Sequence, residues 1–430
     1  MSATYLGIDL GSTTTKAVLI DEAGKVAGFG LTNTRSNYDV AAAVARAEAM
    51  SDALLSRLES ELLRRRVEKP LEVLAELRRA VRLEQSAQRL AALRQRCVQL
   101  VRAAPDGGDA AADKTDALFG AIADDLDVVF GPLASDRSRF FRDMVAARVL
   151  SDAEAASRRR ELPYEAVVGA YDRAIVEIEN TEAAETIGAL LARALGRAHL
   201  DPATLRELER AWALLEETPI EVAGMVGTGY GRQRLPFPKD AIRSEILCHG
   251  LGAHALFPHT RTVLDIGGQD TKAIQIDSHG VVTGFQMNDR CAAGCGRYLG
   301  YIAEEMNLGI HELGPLAMAA TRPVKISSTC TVFAGVELRA RLSLGEKREN
   351  ILLGLHRAII LRAMSLLARS GGVNDELTFT GGVAKNPAVV HSLQELVAKH
   401  YGQRVLNIHT DSIYTGALGA ALFAQRGAQA

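Results

Sequence analysis

The chain of 430 residues is poor in cysteine, in aromatic residues and in excess charge of either sign. A net charge of −2 leaves no surplus of Lys and Arg to face phosphates, so we expect no nucleic-acid partner. We find no apolar run of membrane-spanning length and no basic-then-apolar start, and we therefore expect a cytoplasmic protein with no membrane partner. Five cysteines are too few, and odd in number, for a disulfide framework.

Glycine is missing from one long internal stretch. The chain holds 38 glycines, yet none lies between Gly30 and Gly107. This stretch is rich in Ala, Leu, Glu and Arg, with apolar residues at three- and four-residue spacing, which is typical of helices. Helical patterning continues to about residue 217, so we predict an all-helical insertion over residues 36–215.

Outside this stretch, strand-like runs such as TYLGIDL and TVLDIG stand beside glycine turns and alternate with helical patterns. This alternation predicts an α/β core that is interrupted after its first hairpin. We predict that residues 1–35 and 216–260 form the two parts of a first domain. Residues 261–430 are then a second domain, which carries three of the five cysteines.

One hairpin pattern occurs twice. Residues 8–29 read IDLGSTTTKAVLIDEAGKVAGF, and residues 264–285 read LDIGGQDTKAIQIDSHGVVTGF. Asp, Gly, Thr-Lys-Ala, Ile-Asp, Gly, Val and Gly-Phe recur at matching positions. An internal duplication of this kind predicts two related halves with a cleft between them.

The glycine-rich turns of both copies suit a phosphate group, because they expose backbone N–H groups and small hydroxyls. No GxxxxGK[ST] is present, so the turns are not a P-loop. Asp9 and Asp265 enter the two turns and are candidate Mg²⁺ ligands. The sequence leaves open whether Lys16 and Lys272 contact phosphate or are exposed strand residues. The candidate phosphate-binding residues are Gly11, Ser12, Thr13, Thr14, Lys16, Gly267, Gly268 and Thr271.

GIDLGSTTTK and LDIGGQDTK resemble the two phosphate loops of the actin-like, sugar-kinase-like ATPase superfamily. The resemblance implies two ribonuclease-H-type domains that close over Mg·ATP, with Gln269 and Asp270 as candidates to orient the attacking water. TFTGGVAKNP resembles the adenosine-site turn, where Gly381 and Gly382 permit close approach to the nucleoside. YTGALGAAL, residues 414–422, resembles the closing helix of the second domain, and an ordinary small-residue helix contact is an equal alternative.

The clustered cysteines stand just before helical patterns, in NDRCAAGCGRYLGYIAEEM and ISSTCTVFAGVELRARL. A thiolate is stabilised at a helix N-terminus, although spacing alone also fits a buried core cysteine. Both segments resemble the activator ATPases of 2-hydroxyacyl-CoA dehydratases and the ATPase subunits of benzoyl-CoA reductase. The resemblance implies a [4Fe–4S] cluster held by Cys291 and Cys330 together with two cysteines of a second subunit. Four thiolates per cluster fit this count. We expect Cys295 to pack beside the cluster, with a third ligand as the alternative, and Cys97 and Cys248 to be core residues.

The long helical insertion leads us to prefer the benzoyl-CoA reductase subunits over the dehydratase activators. It resembles the larger, A-type ATPase subunit of ATP-dependent benzoyl-CoA reductase, and dehydratase activators lack it. The resemblance then implies a related ATPase subunit, a catalytic acyl-CoA reductase pair and a ferredoxin-like electron donor as partners. ATP hydrolysis would drive low-potential electrons to benzoyl-CoA. The alternatives are an activator ATPase of a 2-hydroxyacyl-CoA dehydratase, a small-molecule kinase of the same fold, and a non-redox regulatory ATPase.

Overall fold

The computed structural model describes residues 3–34, 37–131, 141–181, 187–229, 236–288, 295–326 and 331–429. It divides into two compact units. The first unit comprises Met1–Thr34, Ala45–Met50 and Glu221–Ala430, and the second comprises Arg35–Val44 and Ser51–Ile220. The predicted insertion spanned residues 36–215, and the second unit differs from it at both ends and at Ala45–Met50.

The second unit is built from amphipathic helices where it is described, which agrees with its helical patterning. Leu58 and Leu62 of the first helix pack against Leu77 of the next, because apolar residues three and four positions apart share one helix face. The helices are α1 (Tyr38–Arg64), α2 (Pro70–Arg102), α3 (Asp109–Asp124), α4 (Leu126–Phe130), α5 (Phe141–Arg158), α6 (Tyr164–Glu179), α7 (Ile187–Arg197) and α8 (Pro202–Glu216).

The first unit contains two sheets. Their orders are β3-β2-β1-β4 and β7-β6-β5-β8-β9. The strands are β1 (Thr4–Leu10), β2 (Thr14–Ile20), β3 (Val26–Asn33), β4 (Val222–Gly229), β5 (Thr262–Ile266), β6 (Thr271–Ile276), β7 (Val282–Asn288), β8 (Leu377–Thr380) and β9 (Leu406–Asn407).

The sequence repeat is a structural repeat. In both sheets the first three strands pair antiparallel, and a later strand joins the first in parallel. The register even shifts at matching places, between Leu19 and Ile20 and between Gln275 and Ile276. The duplicated hairpin therefore specifies not only the strands but also the local irregularity of each sheet.

Helices cover the sheets of the first unit. They are α9 (Glu245–Leu256), α10 (Gly296–Glu305), α11 (Ile310–Met318), α12 (Thr331–Ser343), α13 (Arg348–Ser370), α14 (Pro387–Tyr401) and α15 (Thr415–Gln429). Helix α13 is long and apolar enough to cross a membrane, yet 61% of its apolar 18-residue segment is buried inside the protein. It packs on β6 and β7, with Leu352, Leu355 and Ile359 in the core of the second sheet, as a core helix does.

Helix α15 packs on β1 and β4, whereas the sequence placed residues 414–422 at the end of the second domain. Its small residues explain this position. A Cβ on Gly7 of β1 would lie 2.0 Å from the Ala417 carbonyl oxygen, and a Cβ on Gly419 would lie 1.8 Å from that of Cys248. Only glycine allows backbones to approach so closely. The alternative of a small-residue contact agrees with this packing.

Candidate active site

The two copies of the hairpin each place an Asp opposite a Lys. Asp9 of β1 is paired in register with Lys16 of β2, and Asp265 of β5 is paired with Lys272 of β6. The distance between the Lys Nζ and Asp Oδ2 atoms is 3.4 Å in the first copy and 3.3 Å in the second. The sequence repeat thus produces two equivalent ion pairs, one in each sheet.

The two lysines differ in their surroundings. Lys272 is 3% exposed, and its Nζ also lies 2.8 Å from Asp270 Oδ2 and 3.8 Å from Glu245 Oε2. Lys16 is 12% exposed, and its Nζ would lie 2.8 Å from a Cβ on Gly11 in the first phosphate turn. The alternative that these lysines are exposed strand residues is therefore wrong for both.

Charge balance sets the protonation of this cluster. Burial by itself would raise the pKa of Asp265, but attraction to His249 and Lys272, with hydrogen bonds from Thr380 and Lys272, holds it below its usual range. Burial would lower the pKa of Lys272, but the carboxylates around it hold that pKa above its usual range. Burial raises the pKa of Glu245. Lys272 is thus a fixed positive charge.

Helix α9 contributes two polar groups that the sequence patterns did not reveal. Glu245 and His249 are about one turn apart on a helix that is otherwise largely apolar and buried. His249 Nδ1 lies 3.4 Å from Asp265 Oδ1. A Cβ on Gly416 would lie 2.8 Å from His249 Nε2 and 3.1 Å from Asp9 Oδ2. The sequence does mark Glu245 and His249 in one way, as two ionisable residues at helical spacing within an apolar run.

The two predicted phosphate turns meet. A Cβ on Gly268 would lie 2.2 Å from Thr13 Oγ1, so the second turn abuts the first. Thr34 braces the first turn, because its N–H donates to the Thr13 carbonyl at 2.9 Å and its hydroxyl donates to the Gly11 carbonyl at 2.6 Å. The other predicted phosphate-binding residues border the same turns, and they are Ser12, Thr14, Lys16, Gly267 and Thr271.

The predicted water-orienting residues lie in the second turn. Asp270 is buried, its Oδ2 accepts from Lys272 at 2.8 Å, and its carbonyl accepts from the Gly267 N–H at 3.0 Å. Gln269 is half-buried next to it. An ionised carboxylate has about four acceptor positions, so the bond to Lys272 leaves Asp270 able to accept from water. Their catalytic role stays a prediction.

The predicted adenosine turn packs on the second phosphate turn. The Thr380 hydroxyl, at the end of β8, donates to Asp265 Oδ1 at 2.8 Å. Gly381 has a φ of +90°, and a Cβ there would lie 2.2 Å from the Ile266 carbonyl oxygen. The short helical turn Gly382–Lys385 follows and leads into α14. Glycine at 381 is therefore required by both φ and space.

The residues present fit a hydrated Mg²⁺. The described part of the chain has no group of three or more His, Cys, Asp or Glu side chains placed to enclose a metal. Mg²⁺ with a nucleotide does not need one, since it uses one or two carboxylates, phosphate oxygens and retained water. Asp9 and Asp265 are both buried carboxylates, and the Nδ1 of His249, which has no hydrogen-bond partner in the described part of the chain, lies 3.4 Å from Asp265 Oδ1.

Three of the five cysteines lie in the described part of the chain. The predicted cluster ligands Cys291 and Cys330 lie outside the described residues. Cys295 is buried at the N-cap of α10. Cys97 and Cys248 are buried, and burial raises the pKa of each thiol to about 12, so both are core thiols as expected.

The helices that follow the predicted cluster ligands, α10 and α12, contact each other. A Cβ on Gly335 of α12 would lie 2.4 Å from Tyr301 Oη and 3.3 Å from the Glu305 carboxyl of α10. Arg339, one turn further along α12, forms an ion pair with Glu305. These contacts link the two helices that follow Cys291 and Cys330 in the sequence.

Helix α10 is bonded directly to the second phosphate turn. The Gly296 N–H donates to the Gly267 carbonyl at 2.9 Å, and the Arg297 N–H donates to the Gly268 carbonyl at 2.8 Å. The first N–H groups of a helix have no partner within the helix. Here the phosphate turn supplies their acceptors, so a shift of that turn shifts the start of α10.

A family model described as the BadF/BadG/BcrA/BcrD ATPase family matches residues 6–424. The chain belongs to this ATPase family. The (R)-2-hydroxyglutaryl-CoA dehydratase activating ATPase of Acidaminococcus fermentans is 42% identical over 208 residues, which are 48% of this chain and 76% of the relative. The activator of lactoyl-CoA dehydratase of Anaerotignum propionicum is 41% identical over 224 residues, 52% of this chain and 84% of the relative.

A benzoyl-CoA reductase subunit of Thauera aromatica belongs among the relatives too, at 34% identity over 226 residues, 52% of this chain and 79% of that relative. The crystal structure of the A. fermentans (R)-2-hydroxyglutaryl-CoA dehydratase component A aligns with a TM-score of 0.53 at 23% identity, over 100% of both chains. The predicted actin-like, sugar-kinase-like fold is confirmed. The higher identity of the two activators favours the dehydratase-activator alternative over the benzoyl-CoA reductase assignment that we expected from the insertion.

Proposed function

We propose that this ATPase is an activator that passes low-potential electrons to a 2-hydroxyacyl-CoA dehydratase. Family membership and the meeting of two phosphate turns support the nucleotide chemistry. The identity to two dehydratase activators supports the partner. The single observation that carries the coupling of nucleotide to electron transfer is the pair of hydrogen bonds between α10 and the second phosphate turn.

The nucleotide would bind between the two turns. Backbone N–H groups of both turns would hold its phosphates, and Lys16, the less enclosed of the two lysines, would reach them from the first turn. Asp9 and Asp265 would hold Mg²⁺ through its water, and the metal would neutralise phosphate charge. Asp270, with Gln269 beside it, would orient the attacking water.

A [4Fe–4S] cluster, when bound, would store and release single electrons. Cys291 and Cys330 would supply two of its four thiolates, and a neighbouring copy or related chain would supply the others. Cys330 directly precedes α12, and Cys291 lies five residues before α10. The positive N-terminal end of α12 would therefore favour a thiolate at Cys330.

Nucleotide-driven movement would reach the cysteines through a short path. The second phosphate turn holds the start of α10, and α10 holds α12 through Tyr301 and the Glu305–Arg339 pair. Cluster potential depends on burial and on hydrogen bonds to sulfur. Each ~59 mV of one-electron shift corresponds to about 1.4 kcal/mol, so a small rearrangement is sufficient to matter.

Cysteine variants test the cluster. We expect Cys291→Ala and Cys330→Ala to lose iron and the reduced-state EPR signal after anaerobic purification, because each removes a required thiolate. Cys97→Ala is the matched control, since it removes a buried thiol of the second unit and should keep both. Full iron content in Cys330→Ala would contradict the ligand assignment.

A partner assay separates the two acyl-CoA systems. The reduced protein, with Mg·ATP and a ferredoxin-like donor, is mixed either with a 2-hydroxyacyl-CoA dehydratase or with the catalytic pair of a benzoyl-CoA reductase. We expect ATP-dependent activation of the dehydratase. Electron delivery to the reductase pair alone, particularly if it required a related ATPase subunit, would restore the benzoyl-CoA reductase alternative.

A further inference from the structure

His249 is a buried polar side chain that the proposed chemistry does not yet use. It is 7% exposed, and its Nδ1 has no hydrogen-bond partner within the part of the chain that the structure describes. Buried polar atoms are nearly always paired, so one that is not calls for an explanation. The apolar neighbours on α9 would accommodate a Leu or Met at this position more easily.

The ring of His249 stands between one carboxylate of each sheet. Its Nδ1 is 3.4 Å from Asp265 Oδ1, just beyond a good hydrogen bond. Its Nε2 and Asp9 Oδ2 both border Gly416, since a Cβ there would lie 2.8 Å from the first atom and 3.1 Å from the second. Gly416 thus leaves the space in which the ring reaches toward Asp9.

Asp265 has two hydrogen-bond partners besides its contact with His249. Lys272 neutralises Oδ2, and the Thr380 hydroxyl bonds Oδ1 from the adenosine side. Of the other ionisable groups nearby, Glu245 interacts electrostatically with His249, Asp270 bonds Lys272, and Lys16 bonds Asp9. In the described part of the chain, His249 lies next to Asp265 and, like Asp9, borders the position of Gly416.

We propose that His249 is a positioning residue that links Asp9 and Asp265 when Mg·nucleotide is bound. Its Nδ1–H donates to Asp265, and the opposite edge of the ring limits by contact how far the Asp9 side chain can turn, so that both carboxylates face the metal together. The inference rests on Mg-dependent nucleotide binding by this ATPase and not on the cluster or the acyl-CoA partner. The proposal predicts that replacing His249 raises the Mg²⁺ concentration needed for nucleotide binding and leaves the fold intact.

The test is Mg²⁺ titration of the binding of a fluorescent, non-hydrolysable ATP analogue to the full chain, with the same binding measured in EDTA. We expect His249→Ala to raise the Mg²⁺ concentration for half-saturation about tenfold, as for loss of a hydrogen bond to a charged group. Affinity in EDTA should not change. His249→Asn, whose amide can occupy the place of Nδ1, should recover part of the loss, and His249→Gln should recover less.

His254→Asn is the matched control, because His254 is on the same helix and faces Gly280 instead of the carboxylates. It should keep the wild-type Mg²⁺ dependence. A Mg²⁺ concentration for half-saturation that stays at the wild-type value in all His249 variants would overturn the proposal. So would an equal loss of binding with Mg²⁺ and with EDTA, which marks a structural role only. If His249→Ala fails to fold, the comparison of the Asn and Gln variants decides.

Discussion

Replacing Lys272 by Met removes one positive charge from among three buried carboxylates. The ammonium group lies 2.8 Å from Asp270, 3.3 Å from Asp265 and 3.8 Å from Glu245. Met fills the space of the Lys stem, so the change is mainly one of charge. Removing one partner of a buried ion pair costs about 3–5 kcal/mol, because the remaining charge is left without compensation.

The effect should be large and specific to this lysine. With roughly 2–4 °C of melting temperature per kcal/mol for a unit of this size, we expect the first unit of Lys272→Met to melt roughly 10 °C lower at pH 7.5. Lys16→Met is the control, since Lys16 is more exposed and its described carboxylate contact, with Asp9, is at 3.4 Å. We expect it to lose less than Lys272→Met, because its Nζ lies near one described carboxylate instead of three.

The loss should shrink at acidic pH. The folded-state pKa of Asp265 lies below its unfolded value of about 3.9, so its contribution is present at neutral pH and is lost as pH falls through the folded pKa. Lys272 has a raised pKa, so its contribution is complete throughout this range. Without Lys272 the buried carboxylates take up protons more easily. Lys272→Met should therefore lie closer to wild type at pH 5 than at pH 7.5.

Differential scanning calorimetry is the suitable assay, because a chain of two compact units need not unfold in one step. The transition of the first unit is followed at both pH values for wild type, Lys272→Met and Lys16→Met. Three results would refute the reasoning. They are unchanged stability of Lys272→Met, equal loss in the two variants, and a loss that does not depend on pH.

Gly419→Ala should destabilise the first unit by about 3 kcal/mol, because the new Cβ would lie 1.8 Å from the Cys248 carbonyl oxygen. Gly427→Ala, on the same helix, meets nothing within 4 Å and should stabilise slightly, because Ala favours the helix more than Gly does. Melting temperatures of both variants check this. Gly381→Ala should weaken binding of a fluorescent ATP analogue about tenfold, because the new Cβ would lie 2.2 Å from the Ile266 carbonyl oxygen at a residue whose φ is +90°. Wild-type affinity in this variant would contradict the prediction. Chelation of Mg²⁺ should weaken the same binding, and equal affinity with and without EDTA would contradict the roles of the two buried Asp residues.

The duplicated hairpin made most of the first unit predictable. Matching residues in the two copies lead to matching strand registers and to the two Asp–Lys pairs, because pairing within a hairpin is local. The same local pattern could not show that Lys16 and Lys272 are enclosed. Lys272, for example, is enclosed in part by Glu245 of α9, which lies outside the hairpin.

Other parts of the site depend on packing that leaves little trace in sequence. Glu245 and His249 lie on a helix that is buried nearly all around, so no polar face marks them. Helix α15 is rich in glycine and alanine and could cover either sheet by composition. Its position on β1 and β4 follows from close contacts at Gly7 and Gly419, which become visible only in three dimensions.

The most direct test of the account is the response of a cluster to nucleotide. The full chain is purified and reduced under strict anaerobiosis, its iron is determined, and its EPR spectrum is recorded with and without Mg²⁺ and a non-hydrolysable ATP analogue. We predict about four irons per pair of chains and a spectrum that changes when the nucleotide binds. Iron-free protein, or a cluster signal that ignores bound nucleotide, would contradict the coupling of the second phosphate turn to α10.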